Sequence, residues 1–295
     1  MRILLFGSSG QVGTEFLSLA ASQDVEVVAP DRGVLDLTDQ DAVAGLIAEN
    51  SWSAVVNAAA YTDVDRAESE EATAFAVNGK APAHLAIETG RLGIPLIHIS
   101  TDYVFDGRKG IPYVEQDVPA PLYAYGRSKL AGERGVAAGN PRHVILRTSW
   151  VYSPYGRNFV RTILRLARER DRLTIVADQR GCPTAARDVA KTCLTIALRC
   201  AANPERGPYG LYHFAGTGEA TWFEFAKMIL ELAHLPRSVE VVPIRTSEYP
   251  TPATRPADAR LDCAAIVRDF GIEPRPWQKA LKGTLCRLLE SQRMP

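Results

Sequence analysis

The stretch Gly7-Ser8-Ser9-Gly10-Gln11-Val12-Gly13 constrains the fold more than any other. It follows a short apolar strand, Arg2 to Phe6, and runs straight into a helical pattern over Thr14 to Ala21. Glycines at such a strand-to-helix turn let the backbone approach a pyrophosphate, whose charge is stabilised by amides and the positive end of the helix. The spacing is GxxGxxG, so the signal lies in the position between strand and helix as much as in the glycines. Gly7, Gly10, Gln11 and Val12 are the candidate cofactor-binding residues of this turn.

Strand signals recur at Val25 to Ala29, Ala54 to Asn57, Pro95 to Ser100 and His143 to Thr148, separated by segments long enough for crossover helices. This is the alternation of an α/β fold in which a doubly wound parallel sheet, a Rossmann domain, occupies residues 1–150. Residues 151–295 are expected to form a smaller α/β domain, mainly for substrate, with some segments returning to the first. Helices are expected at Asn158 to Arg170 and Arg187 to Ala201, with strands at Leu173 to Val176 and Gly210 to Phe214. Thr38 with Asp41, and Thr221 with Glu224, have the spacing of capping boxes. Pro243 to Pro256 holds four prolines and three threonines and reads as an extended loop.

The 295 residues are 46% hydrophobic with a formal charge of zero, which argues against general attraction to nucleic acid or other polyanions. No apolar run reaches the roughly 18 residues that span a bilayer, and Met1 to Phe6 stops at Gly7, too short for a signal-peptide core. A cytoplasmic protein without membrane or nucleic-acid partners is expected. The five cysteines are scattered and never form a CxxC pair, so buried thiols are expected rather than disulfides or zinc ligands.

At the end of the second strand an acidic residue would accept adenosine ribose hydroxyls, and a basic one would accommodate a 2'-phosphate. Asp31 and Arg32 stand there together, leaving NADH and NADPH both open; either side chain also fits a solvated loop. Asp36 and Leu37 are placed to flank the adenine. Asn57-Ala58-Ala59-Ala60 closes the third strand with side chains small enough for a flat ligand to lie against the backbone, although tight packing explains them equally.

Tyr125 and Lys129 lie four apart on a helical stretch and so share a face. A free phenol has a pKa of about 10, and a neighbouring ammonium favours its ionised form. Thr101 ends the fourth strand, at the crevice where open parallel sheets bind ligands. A right-handed crossover would carry Tyr125 back to that edge, so that threonine, tyrosine and lysine converge on one carbonyl.

Together Gly7 to Gly13, Asn57 to Ala60, Thr101 and Tyr125 to Lys129 resemble the extended short-chain dehydrogenase/reductases. Asn57 to Glu68, Ser100 to Gly107, Arg147 to Tyr152, Asp178 to Thr184 and Arg255 to Asp262 narrow that resemblance to the dTDP-4-dehydrorhamnose reductase family, over essentially the whole chain. The resemblance implies NADPH- or NADH-dependent reduction of the 4-keto group of a dTDP-sugar, dTDP-6-deoxy-L-lyxo-4-hexulose. It implies Tyr125 as proton donor, Thr101 as hydrogen-bond donor to the same oxygen, and Lys129 as tuner of the phenol and ligand of the nicotinamide ribose. Asp102, Tyr103 and Trp150 would line the sugar site, although a tryptophan at a strand end also fits the core. Arg255 and Arg260 fit anion partners or structural ion pairs alike.

Two alternatives stay within reach of the same motifs. A sugar-nucleotide epimerase or dehydratase shares the Tyr/Lys pair, but dehydratases typically follow the threonine with Asp-Glu, whereas Thr101 is followed by Asp102-Tyr103. A noncatalytic NADP-binding regulatory subunit would not require Thr101, Tyr125 and Lys129 together. Some family members dimerise through magnesium held by three glutamates. Glu15 matches the first, whereas Arg187 and Arg287 occupy the other two positions, and cations do not ligate magnesium. No magnesium-bridged dimer is therefore expected, a monomer is the simpler state, and Glu15 is expected to be an ordinary exposed helix residue.

Overall fold

The computed structural model describes residues 1–49, 51–236 and 238–291. Its first half runs β1 (Arg2–Phe6), α1 (Gln11–Ala20), β2 (Glu26–Val28), α2 (Gln40–Ala48), β3 (Ala54–Asn57), α3 (Glu71–Phe75), α4 (Ala81–Arg91), β4 (Leu96–Thr101), α5 (Ala124–Gly139) and β5 (His143–Thr148). Then come β6 (Val151–Tyr152), α6 (Phe159–Glu169), β7 (Arg172–Val176), β8 (Arg180–Gly181), β9 (Thr184–Ala185) and α7 (Ala186–Ala202). The chain ends with β10 (Gly210–His213), β11 (Ala220–Thr221), α8 (Trp222–Ala233), β12 (Glu240–Ile244), α9 (Ala264–Phe270) and α10 (Trp277–Ser291).

Six strands form one sheet in the order β10-β5-β4-β3-β1-β2, every pair parallel. Ile3, Leu4, Leu5 and Phe6 are all buried because the sheet is covered on both faces. Ile3, Leu5 and Val56 pack with Phe16, Val189, Ile196 and Ile266, under α1, α7 and α9. Leu4, Phe6 and Val55 point the other way, onto Val43, Leu85 and Val136 of α2, α4 and α5. A further core joins Tyr152, Val160, Ile163, Phe225, Ile229, Trp277 and Leu281, from β6, α6, α8 and α10. The chain nevertheless returns to the main sheet, where β10 pairs with β5 and α7 packs on α1.

Several sequence expectations change. The capping box at Thr38 and Asp41 does not form: the Asp36 carboxylate accepts from both the Thr38 amide and hydroxyl, and α2 is capped by Asp39, which accepts from the Ala42 amide at 3.1 Å. Thr221 and Glu224 do form one. Pro243 is not in a loop but within β12, opposite Ile175 of β7, and a short 3-10 turn follows at Thr246–Glu248. A proline is tolerated there because this ladder has only two strands, so its missing amide can face outward. Cys182, Cys193 and Cys200 are buried thiols as expected, but Cys263 is half-buried and Cys286 is exposed on α10.

Glu15 is not an exposed helix residue. It is fully buried, accepting from Arg187 at 3.2 Å and from Arg287 at 2.6 Å, so one carboxylate ties α1 to α7 and α10. A helix-surface position became interior because distant helices pack over it, and a carboxylate buried there requires positive partners.

Candidate active site

Gly7 turns the chain out of β1 at φ +84°, and a Cβ on it would lie 2.5 Å from the Ala59 amide nitrogen. Only glycine meets both demands, so the ends of β1 and β3 close onto one another and leave a crevice at the switch point of the strand order. Gly10 caps α1 without a side-chain bond, leaving first-turn amides at the helix's positive end for an anion. Gln11 is half-buried and reaches into the second half of the chain, its amide oxygen accepting from Ser153 at 2.9 Å and Asn158 at 3.0 Å. Val12 packs against the core at the same turn.

Ala58, Ala59 and Ala60 are half-buried along the crevice, and the Asn57 side chain accepts from the Ala59 amide at 3.1 Å. Asp31 is exposed beyond β2, with Arg32 beside it. Thr38 amide and hydroxyl bonds, aided by Arg32, hold the Asp36 carboxyl below its usual range, and Leu37 is buried next to it. Acidic and basic groups thus stand together just beyond β2.

Thr101 ends β4 while Tyr125 and Lys129 ride on α5, which docks closely through two glycines: a Cβ on Gly126 would lie 2.2 Å from the Tyr103 carbonyl oxygen, and one on Gly132 2.1 Å from that of Asn78. The Thr101 hydroxyl donates to Asp102 at 2.9 Å and accepts from the Tyr103 amide at 3.2 Å. Lys129 is buried and donates to the Ile99 carbonyl at 2.7 Å. Burial pushes its ammonium down to about 8, against the Glu133 carboxylate, which favours the charge.

The Tyr125 phenol is not lowered as the sequence pairing suggests. Burial pushes it up to about 12; the Thr101 hydroxyl opposes that shift and the Asp102 carboxylate adds to it. Desolvation dominates, and Lys129 directs its hydrogen bond to the Ile99 carbonyl. Tyr103 meets Tyr125 edge-to-face, with centroids 5.6 Å apart. Asp102 is buried between the Thr101 and Ser149 hydroxyls, and desolvation raises its carboxyl to about 6.

Trp150 holds a φ of +45° and stacks on Trp222 with ring centroids 3.4 Å apart. A Cβ on Gly181 would sit 2.3 Å from its ring, so that glycine makes room for the indole. Arg255 is held by Asp65, and Arg260 by Asp258 and Glu219, so both arginines stand in ion pairs.

Some of this site carried no readable signal. Asn78, in a π-helical stretch at Ala76–Lys80, accepts from the Tyr61 amide at 2.8 Å and donates to its carbonyl and to Ser128 at 3.0 Å. Trp222 and Ser149 likewise acquire their places only in three dimensions. Among the described residues no cluster of three His, Cys, Asp or Glu side chains could hold a metal ion, and no helix is long and apolar enough to cross a membrane.

A family model described as the RmlD substrate binding domain matches residues 1–290. The chain belongs to that family. Similar proteins of the RmlD family include a dTDP-4-dehydrorhamnose reductase of Sinorhizobium fredii, 45% identical over 291 residues and 98% of either chain. The reductase of the same name from Escherichia coli K12 is 38% identical, again over 98% of both chains. Among solved structures, a dTDP-4-dehydrorhamnose reductase from Clostridium acetobutylicum is 36% identical with a TM-score of 0.91, covering 98% of this chain and 100% of that one. One from Bacillus anthracis, in complex with NADP, is 34% identical with a TM-score of 0.90, covering 97% and 99%. A UDP-glucose 4-epimerase from Thermotoga maritima shares the fold at 19% identity and a TM-score of 0.81.

Proposed function

We propose that this chain reduces the 4-keto group of dTDP-6-deoxy-L-lyxo-4-hexulose to dTDP-L-rhamnose, using NADPH or NADH. The observation that carries the reading is the meeting of Thr101, Tyr125 and Lys129 beside a glycine-turn crevice, in a chain matched end to end by reductases of that name.

The crevice fits a dinucleotide. Gly7 leaves no side chain between the ends of β1 and β3, Gly10 leaves the α1 amides without a side-chain cap, and Ala58 to Ala60 present small side chains. Gly7, Gly10, Gln11 and Val12 would hold the pyrophosphate, Asp31, Asp36 and Leu37 the adenosine, and Ala58, Ala59, Ala60, Tyr125 and Lys129 the nicotinamide half. The bound nicotinamide supplies the hydride.

Tyr125 gives its proton to the oxygen that gains charge when the carbonyl carbon is reduced, and Thr101 donates a hydrogen bond to the same oxygen. The high phenol pKa keeps that proton in place at neutral pH until the stronger base, the alkoxide, forms. Lys129 stabilises the phenolate left behind. To reach a substrate, the Thr101 hydroxyl must turn away from Asp102. Tyr103 and Trp150 would form the wall against which the deoxysugar lies, the indole face not covered by Trp222 meeting its apolar side. The expected contact with Asp102 is not available, because that carboxylate is buried on Thr101 and Ser149.

We place the enzyme in the cytoplasm, acting on a small molecule and on neither nucleic acid nor membranes. We also infer a monomer without structural magnesium: Glu15 already accepts from two arginines, and Arg187 and Arg287 offer no oxygen ligand. A mass near twice the 32.2 kDa of the chain, lost on chelation, would refute it.

Purified protein given the 4-keto sugar nucleotide should oxidise NADPH or NADH one for one; wild-type protein that leaves both untouched rejects the reductase reading. Tyr125→Phe should keep coenzyme binding yet lose about 100-fold or more in turnover, since a positioned acid contributes roughly 10²–10⁴-fold. Near-normal turnover in that variant would remove the proton-donor role.

A further inference from the structure

On the α5 side of the sheet, the floor changes from apolar to polar toward the strand ends that carry the site. Leu96 of β4 faces that side within the core, and two and four residues on come His98 and Ser100. Arg147 is the β5 partner of Ser100 and His213 the β10 partner of Arg147, so a polar band crosses three neighbouring strands. From above, α5 lowers Glu133 onto it, one turn beyond Lys129.

The contacts are tight. Glu133 accepts from the Ser100 hydroxyl at 2.5 Å and from Arg147 Nε at 2.9 Å and Nη2 at 2.6 Å. Arg147 and Glu133 are 2% and 5% exposed. The guanidinium lies 4.9 Å from the Phe105 ring centroid, and its Nη1 is 3.5 Å from His213 Nε2. With Nε2 accepting, the His213 proton sits on Nδ1, donated to the Tyr113 carbonyl at 3.1 Å. Burial and Arg147 push His213 down to about 3, so it adds no charge to the pair.

A buried ion pair is a poor way to fill a core, because apolar residues of similar volume often stabilise as well or better. What an apolar pair cannot do is fix a helix in one register by directional bonds, or set a charge beside a neighbouring group. We propose that the Ser100–Glu133–Arg147 network is a positioning device for Lys129: it locks α5 over β4 in the register that places Lys129 Nζ on the Ile99 carbonyl, and it holds a carboxylate one turn from the ammonium. Glu133 is the group that favours the Lys129 charge against burial. His98 of β4, which also senses Lys129, is kept neutral by burial and by that same lysine, and the Tyr125 phenol one turn back on α5 stays protonated through the same pH range. The proposal rests on the role given above to Lys129.

The test replaces the pair by apolar residues of similar size, Glu133→Leu with Arg147→Met, and measures melting, NADPH affinity by fluorescence titration, and turnover from pH 6 to 10 beside the wild type. The expected result is a cooperative melt near the wild-type temperature, NADPH bound several-fold more weakly, and turnover lower by about tenfold or more. The alkaline fall in turnover moves to lower pH by about one unit, because Lys129 loses its supporting carboxylate. Ser100→Ala, which keeps the ion pair, should fold normally and lose about threefold in turnover; it decides the matter if the double variant does not fold. A folded double variant, or a folded Ser100→Ala, with turnover within twofold of wild type and an unmoved alkaline limb overturns the proposal. An inactive wild-type protein would instead refute the reductase reading, not the network.

Discussion

Trp150 is a tryptophan in a backbone conformation that favours glycine, which a chain tolerates only where the surroundings hold it. Those surroundings are Trp222, stacked on its face, and Gly181, which leaves space for its edge. Gly181→Ala should therefore displace the indole, at a cost of about 1–3 kcal/mol from overpacking. The KM for the sugar nucleotide should rise several-fold while NADPH affinity stays within twofold; an unchanged sugar KM would remove Trp150 from the substrate wall. Lys129 gives a second prediction at this scale. Its ammonium is present below about pH 8 and lost above it, whereas the Tyr125 proton stays until about 12. Turnover in the reducing direction should fall as pH rises through about 8, and a Lys129→Met enzyme that retains this limb in its residual rate would assign it elsewhere. The order of Thr101, Tyr125 and Lys129 was readable from the sequence because helix spacing and strand ends are local properties. The sign of the phenol shift was not, since desolvation depends on what closes over the ring.

Among the elements, α5 carries Tyr125 and Lys129, two of the three residues of the proposed set. Its approach depends on Gly132 lying against the Asn78 carbonyl, in the π-helical stretch between α3 and α4. Gly132→Ala should lift the helix and destabilise the protein by about 1–3 kcal/mol, although alanine is the better helix former. Lower Tm with reduced turnover in the same variant is the expected outcome, and a rise in Tm would show that α5 does not dock as described. The sheet strands were legible because a strand covered on both faces reads as an unbroken apolar run. Thr38 and Pro243 misled for complementary reasons. One hydroxyl was taken by a nearer carboxylate, and one proline sat in a two-stranded ladder that leaves an edge free for it.

Across the whole molecule, the second half of the chain both builds its own core and returns α7, β10 and α9 to the first. Glu15, Arg187 and Arg287 stitch α1, which opens at the glycine turn, to α7 and α10. Arg287→Ala should cost about 1.5–3 kcal/mol, the usual worth of a hydrogen bond to a charged group, read as a lower Tm. An unchanged Tm would mean that Arg187 alone satisfies Glu15. By itself the sequence determined the parallel α/β fold and the glycine turn, and it singled out the Thr101, Tyr125 and Lys129 set proposed above, because period, turn chemistry and spacing are written along the chain. Only the tertiary structure decided that Glu15 is buried, that Tyr125 keeps its proton and that Arg147 answers Glu133, because burial and charge partnership are set by residues far apart in sequence.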